Sequence, residues 1–223
     1  MTTSWRDLGV SAQIAKNLEA RGILAPFPIQ EATLRDSLAG RDVCGKAPTG
    51  SGKTLAFGIV LASTVGRGRS GYPHGLVLVP TRELAAQVAS EIAKLLQGMS
   101  VKVAAVYGGA AYGPQVKLAR AAGVLVATPG RLEDLIERKA VSLEDVSVAV
   151  IDEADRMADM GFLPSVKKIM RLAKPDRQTL LFSATLDGDI KSLVKEFQKD
   201  PVRHEVEVQD EVGQVAQIGR AHV

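Results

Sequence analysis

The chain has 223 residues, 46% hydrophobic and 24% charged, with a formal net charge of +3. That balance suits one large buried core, and so mild a basic excess neither requires nor excludes a nucleic-acid partner. The single cysteine, Cys44, excludes an internal disulfide and a cysteine-rich zinc site, and the histidines (His74, His204, His222) lie too far apart in sequence to suggest a metal cluster. No apolar run reaches membrane-spanning length and Met1–Val10 lacks the apolar core of a signal peptide, so a soluble cytoplasmic protein is the expectation.

In chain order, Ser11–Arg21 is the first predicted helix. Ile14 and Leu18 share a face, Ser11 is placed to cap it, and Gly22 to stop it. Asp42–Cys44 is a weak strand. Short β-branched runs at Val77–Val79, Val101–Val106, Val124–Ala127, Val146–Ile151 and Thr179–Phe182 predict buried strands. Helical periodicity lies between them: Leu84, Val88, Ile92 and Leu95 within Thr81–Gln97, and Ile190, Leu193, Val194 and Phe197 within Asp187–Lys199. No linker divides the chain; Gly66-Arg67-Gly68-Arg69-Ser70-Gly71 reads as a surface loop. Alternation of apolar strands with helices predicts an α/β domain, a mainly parallel sheet with helices on both faces, and ligands at the carboxyl ends of the strands.

Two motifs fall at such ends. Ala47-Pro48-Thr49-Gly50-Ser51-Gly52-Lys53-Thr54 follows an apolar run and opens the helical segment Leu55–Leu61. Gly50 and Gly52 permit the tight turn that aims backbone N–H groups at a phosphate, and the helix N-terminus adds partial positive charge. Lys53 would reach the β- and γ-phosphates of a nucleotide and Thr54 would ligate Mg²⁺. The first glycine usual in this loop is replaced by Ala47. Val148-Ala149-Val150-Ile151 then leads into Asp152-Glu153-Ala154-Asp155, an apolar strand ending in adjacent carboxylates. Asp152 suits Mg²⁺, directly or through water, and Glu153 suits the orientation and deprotonation of an attacking water. Together they predict a nucleoside triphosphatase fold with Mg²⁺ as cofactor.

Asp152–Asp155 spells the motif that names the DEAD-box RNA helicases, and the chain resembles that family from residue 5 to about 200. The resemblance implies a RecA-like domain. Ala47–Thr54 is similar to the family's P-loop, alanine included. Pro80, Thr81 and Arg82 in Pro80–Ala85, Gly108-Gly109, and Thr128-Pro129-Gly130-Arg131 resemble its RNA-contacting motifs. Ser183-Ala184-Thr185 resembles the motif that couples ATP to unwinding, through hydroxyls that would bond Asp155. Gly22–Gln30 resembles the adenine-reading segment. Gln30 offers a donor and an acceptor to adenine's edge, and Trp5 either stacks on the purine or packs as an ordinary aromatic near the N-terminus. Phe27 stands where the family carries Ser or Thr. The strand-end hydroxyls, glycine backbone and Arg131 suit phosphate and sugar contacts, implying RNA bound without base preference.

The resemblance divides the chain into residues 1–38, a helical segment with the adenine-reading motif; 39–205, the RecA-like ATP-binding domain; and 206–217, the start of a linker. Residues 218–223, Ile-Gly-Arg-Ala-His-Val, resemble the translation of a common sequencing adapter and are set aside. A second RecA-like domain, expected in cis, has no counterpart here. The function implied is that of an ATP-dependent RNA helicase coupling Mg-ATP hydrolysis to local unwinding. The alternative is an ATP-responsive RNA-binding module with negligible turnover of its own. A P-loop kinase or transporter ATPase would need a phospho-acceptor site or a transporter signature, and neither is recognisable.

Overall fold

The computed structural model describes residues 3–206. The expected linker and tail lie outside the described residues, except Val206, whose N–H donates to the Lys46 carbonyl.

The elements run α1 (Ala12–Glu19), α2 (Pro28–Leu38), β1 (Val43–Lys46), α3 (Lys53–Thr64), β2 (Gly75–Leu78), α4 (Arg82–Leu95), β3 (Val103–Val106), α5 (Tyr112–Ala121), β4 (Val124–Ala127), α6 (Pro129–Glu137), β5 (Val148–Ile151), α7 (Ala154–Asp159), α8 (Leu163–Leu172), β6 (Gln178–Ser183), α9 (Gly188–Phe197) and β7 (Val202–Glu205). Ser11, Thr81 and Asp187 accept hydrogen bonds from the first turns of α1, α4 and α9, the cap chemistry their hydroxyl and carboxylate oxygens supply. The strands form one seven-stranded sheet in the order β3-β4-β2-β5-β6-β1-β7, and every pairing is parallel.

Successive strand side chains point to opposite faces, and the core divides accordingly. Val77, Val126, Val150, Leu180 and Phe182 face one hydrophobic cluster with α1–α4. Leu76, Leu78, Leu125, Ile151 and Leu181 face the other, which α5–α9 cover. Both faces are dry, which is why the strands read as continuous apolar runs.

The structure adds what periodicity could not reveal. β7 carries Arg203, His204 and Glu205 and is only partly buried, as an edge strand paired on one side with β1 can be. Helices α2, α6 and α8 each begin at or next to a proline, whose preset φ and absent N–H suit the first turn. Among the described residues no helix is long and apolar enough to cross a membrane.

Candidate functional site

β6 lies between β1 and β5, so the loops after these three strands converge at one point of the sheet's carboxyl edge. After β1 the chain enters the glycine loop. Gly50 and Gly52 have φ of +83° and +90°, a region costly to residues with a Cβ. A Cβ on Gly52 would also fall 2.6 Å from Gln30 Nε2, so this position needs glycine twice over. Lys53 opens α3, is buried, and donates from Nζ to the Ala47 carbonyl at 2.9 Å. The Ser51 hydroxyl oxygen is buried with no hydrogen-bond partner. A buried, unsatisfied hydroxyl beside a retracted lysine at a helix N-terminus fits an anion such as a phosphate.

After β5 the chain reaches Asp152 and Glu153, both buried. Glu153 adopts φ +50°, and its N–H donates to Asp152 Oδ1 at 3.0 Å. That left-handed turn aims the two carboxylates separately. Glu153 Oε1 accepts from Thr49 Oγ1 at 3.4 Å across the cleft, while Oε2 receives Arg156 at 3.2 Å. Burial pushes the Asp152 carboxyl up to about 7, with Lys53 opposing and Glu153 and Asp155 adding to the rise. A buried carboxylate poor in compensating charge is suited to a hard divalent cation. Among the described residues no group of three His, Cys, Asp or Glu could hold a metal alone, so an ion here would also draw on Thr54 and on phosphate oxygens.

After β6, the Ser183 hydroxyl accepts from the Asp155 N–H at 3.2 Å and its carbonyl accepts from the Ala47 N–H at 3.0 Å. Ser183 therefore links the glycine loop to the acidic motif. Thr185 is exposed and makes no hydrogen bond to Asp155 among the described residues.

Gln30, fully buried, donates from Nε2 to the Gly52 carbonyl at 2.9 Å and accepts at Oε1 from the Phe27 N–H at 2.9 Å. It joins the N-terminal segment to the phosphate loop; one amide hydrogen and one lone pair stay unused, on a side chain with no solvent-exposed surface in this structure. Trp5 is buried in the core, and its indole N–H donates to the Ile23 carbonyl at 3.0 Å. In this structure it packs rather than offering a face to a purine. The exposed aromatic beside the loop is Phe27, its ring 3.0 Å from where a Gly52 Cβ would lie. Sequence reading singled out Phe27 only as a departure; its place in Pro-Phe-Pro, where an apolar residue has little to bury against, was the available signal.

The remaining predicted residues lie at the ends of β2, β3 and β4. Thr81 caps α4, and Arg82, exposed, pairs with Glu83 at 2.5 Å. Gly109 (φ +80°) brings its turn close to Arg82, whose NH1 would be 3.7 Å from a Cβ there. Gly108, Gly109 and Gly130 are exposed; Thr128 precedes α6, with Pro129 at its first position. Arg131 is mostly covered: NH1 donates to Gln115 Oε1 at 2.9 Å and NH2 to the Ala110 carbonyl at 3.0 Å. Gln115, buried, also exchanges hydrogen bonds with the Tyr107 N–H (3.1 Å) and carbonyl (3.0 Å). Arg131 thus fixes the Gly108-Gly109 turn, and the residue that sequence reading missed is Gln115, 16 positions away along the chain.

Fold and site are those of a RecA-like P-loop domain. The DEAD/DEAH box helicase family profile matches residues 27–193. Among curated relatives, the DEAD-box ATP-dependent RNA helicase CshA of Streptococcus pneumoniae is 42% identical over 198 residues, covering 88% of this chain and 38% of that protein. CshA of Bacillus subtilis is 38% identical over 211 residues, covering 94% and 42%. The crystal structure of a DEAD box protein from Methanococcus jannaschii superposes with a TM-score of 0.86 at 36% identity, covering 92% of this chain and 56% of that one. The chain belongs to the DEAD/DEAH box helicase family, and it spans about two fifths of the length of these curated relatives.

Proposed function

We propose that this chain is the ATP-binding half of an ATP-dependent RNA helicase, with residues 1–38 contributing the adenine-reading segment and 39–205 the nucleotide domain. The observation that carries the reading is the convergence of Lys53, Asp152, Glu153 and Ser183 at adjacent strand ends, beside an unsatisfied Ser51 hydroxyl. Lys53 leaves the Ala47 carbonyl for the β- and γ-phosphates, which replace one acceptor with a charged one. Thr54 and Asp152 would hold Mg²⁺, which would supply neutralisation of charge on the phosphate oxygens. Glu153, fixed across the cleft from Thr49, orients the attacking water and takes its proton. Gln30 offers adenine its remaining donor and acceptor. Asp155 and Ser183 carry changes at the phosphates towards the neighbouring strand ends, where Thr81, Arg82, Gly108, Gly109 and the 128–131 turn hold RNA by phosphate and sugar.

A second domain in cis would complete the ATP and RNA sites. Arginines from such a domain that stabilise transferring phosphoryl charge would be worth about 10³–10⁵ in rate, so this chain alone would bind both ligands and turn over slowly. RNA-stimulated ATPase of this chain is therefore compared with that of the gene product extended through a second domain. The proposal expects nucleotide binding by both and fast, RNA-dependent hydrolysis by the longer one only. Failure of the longer protein to hydrolyse ATP with any RNA would overturn it.

A further inference from the structure

A second charged region lies at the opposite edge of the sheet from the ATP cleft. Arg67 and Ser70 from the loop before β2, Ser100 and Lys102 from the chain entering β3, and Lys117 and Arg120 from the last turns of α5 line a cleft of about 290 Å³. No carboxylate lines it. Among the described residues none of its four cations is ion-paired, although many of the chain's other lysines and arginines are. Arg69, in the same loop, is engaged elsewhere: it holds Glu144 at 2.7 Å and Asp145 at 2.8 Å, and stacks 3.5 Å above the Tyr72 ring.

The backbone that carries these cations is fixed. The Gly71 N–H donates to the Arg120 carbonyl at 2.9 Å, and the Gly123 N–H to that of Lys102 at 2.9 Å. A Cβ on Gly68 would lie 2.3 Å from the Tyr72 carbonyl oxygen, so the loop is packed in a form only glycine allows. The fold therefore holds four exposed like charges around one cleft, a local positive field that favours an anion. Two serine hydroxyls add donors, and no aromatic side chain lines the cleft, so the complementary ligand is a phosphate-bearing backbone rather than a base.

Helix α5 links this cleft to the proposed RNA track. It begins at Tyr112, just beyond Gly108-Gly109, and at about 1.5 Å per residue it reaches Lys117 after roughly 8 Å and Arg120 after roughly 12 Å. A strand leaving the glycine turn along α5 meets the cleft within a few nucleotides. We infer that the Arg67–Lys102–Lys117–Arg120 cleft is a second RNA-backbone site, gripping phosphates that flank the segment held at the strand ends. The inference rests on the RNA reading given under Proposed function.

The test uses this chain with two fluorescent single-stranded RNAs of the same composition, one filling the strand-end turns only and one long enough to pass α5. Anisotropy is measured over a range of salt concentrations. The longer RNA should bind more tightly with a steeper salt dependence, each phosphate contact adding about 0.7 to the logarithmic slope. Lys117→Ala with Arg120→Ala should flatten the long-RNA slope by about 1.4, two contacts' worth, and leave the short RNA unchanged. Lys117→Arg with Arg120→Lys should keep the slope, and ADP affinity and melting temperature should not move in either variant. Equal slopes for the two RNAs, or equal losses on both in the alanine variant, overturn the inference while leaving the strand-end track intact. Binding of a poly-glutamate peptide as tight as the long RNA, with the same sensitivity to substitution, would assign the cleft to an acidic protein segment. Failure of the short RNA to bind would remove the track itself and this inference with it.

Discussion

The two halves of the sheet's carboxyl edge are built on different principles. Behind β1, β5 and β6 the groups assigned to chemistry are buried, and Lys53, Asp152 and Ser183 are held by contacts within their own motifs or with an adjacent strand. Behind β2, β3 and β4 the glycines assigned to RNA and Arg82 are exposed, Thr81 and Thr128 are half-buried, and the mostly covered Arg131 spends its hydrogen bonds on the protein. Buried charge must be compensated by neighbours of fixed type and spacing, so such a site is written as a contiguous motif. An exposed track tolerates water as a partner and needs only that its backbone turns be held in place.

The largest expected effect lies on the buried side. In the protein extended through a second domain, Glu153→Gln should retain ATP binding and lower hydrolysis by about 10²–10⁴-fold, since an amide cannot accept the water's proton. Wild-type turnover by that variant would show that Glu153 is not the base.

Asp152→Asn separates the cost of the site from its function. The folded carboxyl titrates at about 7 against an ordinary 3.8, so between those values the folded state binds more protons than the unfolded state. Stability from this group is present at low pH and is lost as pH rises through that window. Without nucleotide or Mg²⁺, Asp152→Asn should stabilise the domain at pH 8 by on the order of 2–4 kcal/mol, a gain that shrinks as pH falls towards 4. Melting curves at pH 5 and pH 8 read the difference; an equal shift at both would contradict the assigned cause.

Gln30→Ala should erase most of the preference for ATP over GTP, roughly three- to tenfold for one hydrogen bond. Affinity for both nucleotides should fall as well, because Gln30 also anchors the Gly52 carbonyl. Equal binding of GTP and ATP by the unmutated chain would refute the adenine assignment.

The smallest effect lies on the exposed side. Arg131→Ala should weaken RNA binding several-fold and lower the melting temperature in parallel, because the Gln115–Tyr107 network that holds the glycine turn loses a charged donor. Gln115→Ala should reproduce both changes although Gln115 is buried and touches no RNA. A loss of RNA affinity in Arg131→Ala alone would mean that Arg131 reaches phosphate itself, and the contrast between the two edges would narrow.

The sequence by itself determined the parallel α/β plan, the glycine loop and the acidic strand end. Each depends on interactions within a few residues: apolar runs that must be dry on both faces, glycines at positive φ, and carboxylates at a strand's carboxyl end. It also predicted the cap at Ser11, whose hydroxyl closes on an N–H three residues away. Only the tertiary structure decided that Trp5 belongs to the core and Phe27 to the surface, because stacking and packing ask for the same aromatic side chain. It alone placed the half-polar β7 beside β1, joined Arg131 to Gln115, and gathered Arg67, Lys102, Lys117 and Arg120 from three separate segments. Those outcomes rest on which strands become neighbours, and no local period or spacing along the chain encodes that choice.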